Sequence, residues 1–177
     1  MELVDFGVGD ASVFQPGRMY QFKLPDIDNN RLSQFILDLE KKEPSVTRTN
    51  RGGWHSRVRL FQINEPVIHE LQGSVRKRTE RLLRKPPVIL SSWANVNRKG
   101  HYNVSHSHAG CSWASCYYVA TDGTAAAAGE FVALPGKEAL KIAPEPGTLL
   151  VFPAWMKHEV LKYQGVTPRI SVAFNIK

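Results

Sequence analysis

From residue 88 onward the chain is cut into about eight short runs rich in Val, Ile, Tyr, Phe and Trp, and this constrains the fold most. The runs cover 88–90, 93–97, 113–120, 129–134, 140–142, 148–152, 159–163 and 169–175, with Gly, Pro, Asp and Asn between them. Branched and aromatic side chains suit a pleated, half-buried surface, and turn residues at this density leave no room for long helices. The expected architecture is mostly β: a double-stranded β-helix (jelly roll) packed against N-terminal α-helices. At 177 residues the chain suits one domain with a sizeable core, over 1–177, with helical support in 1–87 and the jelly roll in 88–177.

Two helices are expected in the first half. Asp28 is an N-cap candidate, Leu32, Phe35, Ile36 and Leu39 follow on one face, Lys41 and Lys42 suit the C-terminal dipole, and Pro44 ends the run. The second helix is expected over about 64–84, with Asn64 as cap, Pro66 in its first turn, and Ile68, Leu71, Val75, Leu82 and Leu83 as its apolar stripe. The alanine run 125–128 is too short for an independent helix and is read as a loop or strand edge.

Several classes are excluded. Apolar residues recur throughout, so the chain is not disordered, and no uncharged apolar run is long enough to span a membrane. The N-terminus lacks the basic start and apolar stretch of a signal peptide, and Cys111 and Cys116 make no disulfide framework, so a cytoplasmic location is expected.

Chemistry concentrates in the histidines. On an extended segment His106 and His108 of His106-Ser107-His108 would project to one face and could chelate one metal, with His158 as a third ligand after the apolar strand 148–152. Imidazole suits Fe, Zn, Cu and Ni. Alone, the pair reads equally well as a surface turn. Eleven residues after His158, Arg169 and Ser171 share a strand face, and a guanidinium fork with a hydroxyl can receive a carboxylate. The plainer reading of such an arginine is a surface ion pair. Eleven residues before His106, Asn95 and Asn97 share a face and can bond a carboxylate or carbonyl. Trp93, Trp113, Tyr117 and Tyr118 are candidates to line a pocket, although core packing is the commoner fate of such residues.

The ordered set His106-Ser107-His108, Pro146-Gly147 with its apolar strand into Phe152-Pro153, His158, and Arg169-Ile170-Ser171 resembles the iron(II)/2-oxoglutarate-dependent oxygenase superfamily. It is most similar to a group of small 2-oxoglutarate/iron oxygenases of bacteria and their phages. Those have counterparts of Gly52-Gly53-Trp54-His55-Ser56, Ser92-Trp93-Ala94-Asn95, Asn103 through His108, and Tyr117-Tyr118-Val119. One departure is Ala114-Ser115, where that group tends to have Ser-Gly.

The resemblance implies a hydroxylase using Fe(II), 2-oxoglutarate as cosubstrate and O2. His106 and His158 would be iron ligands, and His108 would stand where the superfamily carries a carboxylate. Arg169 would salt-bridge the distal carboxylate of 2-oxoglutarate with help from Ser171, and Asn95 and Asn97 would be further cosubstrate contacts. A three-histidine site would be neutral before iron binds.

The formal charge is +7, and the run 76–85 carries +5 of it on the second expected helix. Such a run is most often a solvated face, but it also permits a nucleic-acid partner. Three functions therefore compete. One is a 2-oxoglutarate-dependent hydroxylase of a protein side chain or small molecule. Another is an AlkB-like nucleic-acid demethylase, favoured if basic residues flank the iron. The third is a cupin-type metal-binding jelly roll, against which the Arg169-x-Ser171 pair argues. An exposed sheet edge could support a homodimer.

Overall fold

The computed structural model describes residues 3–6, 18–57, 59–124, 129–134 and 139–177, with backbone only for 3–6. The 125–128 run lies outside the described residues. The elements are β1 (Leu3–Phe6), β2 (Met19–Lys23), α1 (Asn29–Lys42), β3 (Asn50–Arg51), β4 (Trp54–His55), α2 (Pro66–Leu83), β5 (Ile89–Asn97), β6 (Tyr102–His106), β7 (Trp113–Ala120), β8 (Phe131–Leu134), β9 (Leu140–Ile142), β10 (Thr148–Pro153), β11 (Lys157–Val160) and β12 (Arg169–Ile176). The strands form a seven-stranded sheet in the order β1-β2-β10-β7-β12-β5-β4 and a five-stranded sheet in the order β3-β6-β11-β8-β9. All described pairings except β1 with β2 are antiparallel. This is the expected jelly roll with two supporting helices.

Helix α1 follows its sequence signals. Arg31 N donates to Asp28 Oδ1 at 3.0 Å, and Leu32 and Ile36 are buried. Helix α2 starts one residue later than an Asn64 cap implies, because a proline pushes its predecessor to extended backbone. Glu65 sits at φ −138° and ψ 128°, so the helix begins at Pro66 without a side-chain cap. It ends one residue early, with Arg84 in the left-handed region.

The first half contributes more than support. Strand β2 pairs with β10 in the large sheet, and the segment carrying β3 and β4 passes from one sheet to the other. Asn50 and Arg51 pair with Asn103 and Tyr102 at the edge of the small sheet, while Trp54 and His55 pair with Val96 and Asn95 at the edge of the large one. Gly52 and Gly53 make the crossing. A Cβ on Gly53 would lie 2.3 Å from Asn97 Oδ1, and one on Gly52, at φ +81°, would lie 2.6 Å from the His101 ring. Only glycine lets the crossing pack this closely.

Strand alternation divides the interior. On the outer face of the large sheet, Ala94, Val96, Ile170, Val172, Phe174 and Ile176 meet Leu32 and Ile36 of α1 and Val67, Ile68, Leu71 and Val75 of α2 in one core. Between the sheets a smaller cluster joins Met19, Tyr118, Phe131, Leu150, Phe152 and Met156. The rest of that inter-sheet space is a cavity lined by apolar as well as polar side chains.

Candidate metal and cosubstrate site

Strands β6 and β11 bring two histidines face to face. His106 and His158 are directly opposed in the small sheet, with ring centroids 4.3 Å apart. His108 lies beyond the end of β6, so strand alternation does not place it as expected. Its N–H donates to Ala154 O at 2.8 Å, which holds it over His158 with parallel rings 5.1 Å apart. One ligating nitrogen from each of the three histidines falls within 4.8 Å of the others.

The tautomers follow from the backbone. His106 Nδ1 is 2.8 Å from Val104 O, and His158 Nδ1 is 2.9 Å from Met156 O. A carbonyl can only accept, so each Nδ1 carries the proton and each Nε2 presents a lone pair. The Nε2 atoms of His108 and His158 are 3.3 Å apart. Two nitrogens bound about 2.1 Å from one ion, at angles between octahedral and tetrahedral, stand about 3.0–3.4 Å apart. That pair therefore fits a divalent transition metal, and His106 offers its nitrogen within 4.8 Å of both.

Burial keeps these rings neutral. Desolvation lowers the pKa of His106; it lowers that of His108 to about 4 and that of His158 to about 3, with neighbouring imidazoles adding to the effect on His108 and His158. Neutral imidazole is the ligating form, so no proton competes for the nitrogens at neutral pH.

The cavity occupies about 400 Å³. Opposite the histidines, β12 and β5 present Arg169, Ser171, Trp93 and Asn95 on one face, with Ser171 paired to Asn95 and Ala173 to Trp93. Arg169 is 2 % exposed, its guanidinium lies over the Tyr118 ring at 5.3 Å, and its Nε and Nη2 have no hydrogen-bond partner among the described residues. A buried guanidinium lacking partners is costly, and its planar fork matches a carboxylate. The cavity thus offers one place for a metal and one for an anion.

Four expected site residues, Trp113, Tyr117, Tyr118 and Asn97, do not line the cavity. Trp113 is buried in the core beneath the helices, because β7 turns the side chains of Trp113 and Tyr117 away from the inter-sheet space. Tyr118 faces inward but lies under Arg169 within the apolar cluster, so it supports the guanidinium. Asn97 is 1 % exposed, packs under Gly53 and donates through Nδ2 to Asn103 Oδ1 at 3.3 Å. The cavity also gathers residues to which the sequence reading assigned no site role, namely Arg48, His55, Asn103, Cys116 and Asn175. His55 lies within the Gly52-Gly53-Trp54-His55-Ser56 motif, but its place at the cavity depends on pairing with Asn95, which adjacency does not reveal.

Residues 91–175 match a family model described as "Putative 2OG-Fe(II) oxygenase". No curated protein matches the sequence. Among solved structures, a Pseudomonas putida prolyl-4-hydroxylase is similar at a TM-score of 0.72 and 13% identity, covering 90% of this chain and 91% of that one. A prolyl hydroxylase from Trichoplax adhaerens, in complex with a hypoxia inducible factor peptide, is similar at 0.69 and 16% identity, covering 84% and 77%. The viral collagen prolyl hydroxylase of Paramecium Bursaria Chlorella virus-1 is similar at 0.66 and 14% identity, covering 96% and 97%. At these identities the structural likeness establishes a shared fold.

Proposed function

We propose, on the premise that residues 91–175 are the core of a 2OG-Fe(II) oxygenase, that this chain is an Fe(II)- and 2-oxoglutarate-dependent dioxygenase that hydroxylates a protein side chain or small molecule. The observation that carries this reading is Arg169, buried with two nitrogens lacking partners in the same cavity as three neutral imidazoles. A cupin-type metal site has no use for such an arginine.

In this reading the Nε2 atoms of His106, His108 and His158 hold iron, and the carbonyls of Val104 and Met156 fix the orientation of His106 and His158. Iron bound there supplies, with O2, the oxidation that splits 2-oxoglutarate into succinate and carbon dioxide and places an oxygen atom on the substrate. The Arg169 fork takes the distal carboxylate of 2-oxoglutarate, with Ser171 and Asn95 beside it and the Tyr118 ring as its floor. Phe131, Phe152 and Val160 give the cavity dry walls. Asn97 acts indirectly, by carrying the Gly53 crossing and steadying Asn103.

The whole chain acts as one domain in this reading, with 1–87 contributing one wall of the site as well as support. A nucleic-acid substrate is the weaker reading. The basic run 76–85 lies on or just beyond α2, and α2 packs on the face of the large sheet opposite the cavity. No described helix is long and apolar enough to cross a membrane. Both cysteines are free, which suits the cytoplasm as its compartment.

Loading the protein with Fe(II) and 2-oxoglutarate in air should release succinate slowly without substrate. Iron bound tightly but no succinate formed over the metal-free control would overturn the dioxygenase reading.

A further inference from the structure

The wall formed by the β3–β4 crossing and the segment before it has no part in holding metal or cosubstrate, yet many hydrogen bonds hold it. Val46 N donates to His55 O at 2.9 Å and His55 N to Ser45 Oγ at 3.1 Å. Arg48 N donates to Asn50 Oδ1 at 2.8 Å, and Val104 N to Thr49 O at 2.9 Å. Arg48 is thereby pinned at the cavity by bonds on both sides while its guanidinium remains exposed. Among the described residues that guanidinium has no carboxylate partner and no hydrogen-bond acceptor.

His55 is 5 % exposed and stacks on Trp93, with ring centroids 5.5 Å apart and planes 8° apart. Trp93 in turn stacks on His108 at 5.9 Å, so the indole stands between His55 and the metal-binding histidines. His55 Nδ1 is 2.6 Å from Ser56 O and therefore carries the ring proton. Its Nε2 is left as an acceptor with no partner among the described residues, on a ring that lines the cavity. Burial lowers the His55 pKa, with the charge of Arg48 contributing, so the acceptor form persists at neutral pH.

Charge gives the chemical class. The described cavity lining holds two arginines and no Asp or Glu. Iron(II) and 2-oxoglutarate cancel each other, three imidazoles add nothing, and Arg48 and Arg169 remain. With all three ligands imidazole, no protein carboxylate offsets them, so the loaded cavity is positive.

We propose that Arg48 and His55 form the substrate subsite, and that it takes a carboxylate with an N–H or O–H donor beside it, as in an acylated amino acid. The inference rests on the dioxygenase reading for the word substrate, but the subsite itself is testable by binding alone. Arg48 receives the carboxylate, His55 Nε2 accepts from the neighbouring donor, and Trp93 spans the gap to the iron side.

The test uses the full chain loaded with Mn(II) and saturating 2-oxoglutarate, titrated in a calorimeter with N-acetylvaline and with N-acetylvalinamide. The acid should bind at least tenfold more tightly than the amide. Arg48→Ala, at an exposed position, should erase that preference and leave 2-oxoglutarate affinity unchanged. His55→Phe keeps a ring on Trp93 but loses the acceptor, and should weaken both probes alike, since both carry the same amide N–H. Equal affinity for the two probes, or binding of neither, overturns the subsite. So does a preference that survives Arg48→Ala and disappears in Arg169→Ala, which would place the acid in the cosubstrate clamp. Failure of 2-oxoglutarate to bind would sink the dioxygenase reading instead, and an Arg48-dependent preference would still stand.

Discussion

Strand β12 carries two unlike faces. Ile170, Val172, Phe174 and Ile176 press against the helices, while Arg169, Ser171, Ala173 and Asn175 face the cavity. On the first face every side chain is enclosed by others of its kind, and the stabilisation is complete without any partner from outside. On the second, Arg169 Nε and Nη2 have no hydrogen-bond partner among the described residues. One backbone, stepping one residue at a time, thus supplies both stability and unmet binding capacity. The apolar face holds the polar one in place against the cost of leaving those atoms unpaired.

The contrast is sharpest if the two faces fail differently when truncated. Phe174→Ala should cost about 3–5 kcal/mol of stability, because the ring is fully buried against Phe61 and the site cannot collapse around the void. The folded fraction should keep its 2-oxoglutarate affinity, as urea unfolding and calorimetry would show together.

Arg169→Ala should do the reverse. Loss of a desolvated forked ion pair weakens 2-oxoglutarate binding about 100-fold, or about 2.7 kcal/mol. The metal-free protein should lose far less stability than Phe174→Ala does, since an unpaired buried charge leaves with the side chain. A drop in melting temperature as large as that of Phe174→Ala would make Arg169 a structural residue.

His108→Ala tests the small sheet. Iron affinity should fall at least tenfold, read as bound metal after dialysis against a competing chelator, because one of three clustered imidazoles is gone. Undiminished affinity would reduce the centre to two histidines.

The smallest effect is with pH near neutrality. Unfolded imidazoles take up protons below about 6.5, whereas the folded His108 and His158 resist until about 4 and about 3. The unfolded state therefore binds more protons across that window, and acid favours unfolding. Stability of the metal-free protein should be full above about pH 6.5 and fall progressively toward pH 3. Between pH 7 and pH 6 the loss should be about 1 kcal/mol, a shift of about 2–4 °C in melting temperature. A flat profile would mean that the histidines are solvated.

What the sequence discloses about this molecule depends on distance along the chain. Helix α1 is legible because its cap, its stripe and its stop are local, running from Asp28 to Pro44. The order of His106, His108, His158 and Arg169 is legible as a pattern, but the opposition of His106 to His158 is a matter of register between strands fifty residues apart. Trp93 and Trp113 look alike as pocket candidates, and only the pairing of β5, β12 and β7 separates cavity wall from core. Strands β3 and β4 are too short to carry periodicity, so the passage between the sheets, and with it the placement of His55, is invisible to any local pattern.

The crossing at Gly52 and Gly53 has a consequence for how such a protein changes over generations. Arg48 and His55 sit on a stretch outside the strands that carry His106, His158 and Arg169. A few substitutions in that stretch re-cut what the cavity admits while the oxidising centre passes through unaltered. Selection can work on the lock's wards without touching the bolt, provided the two glycines stay.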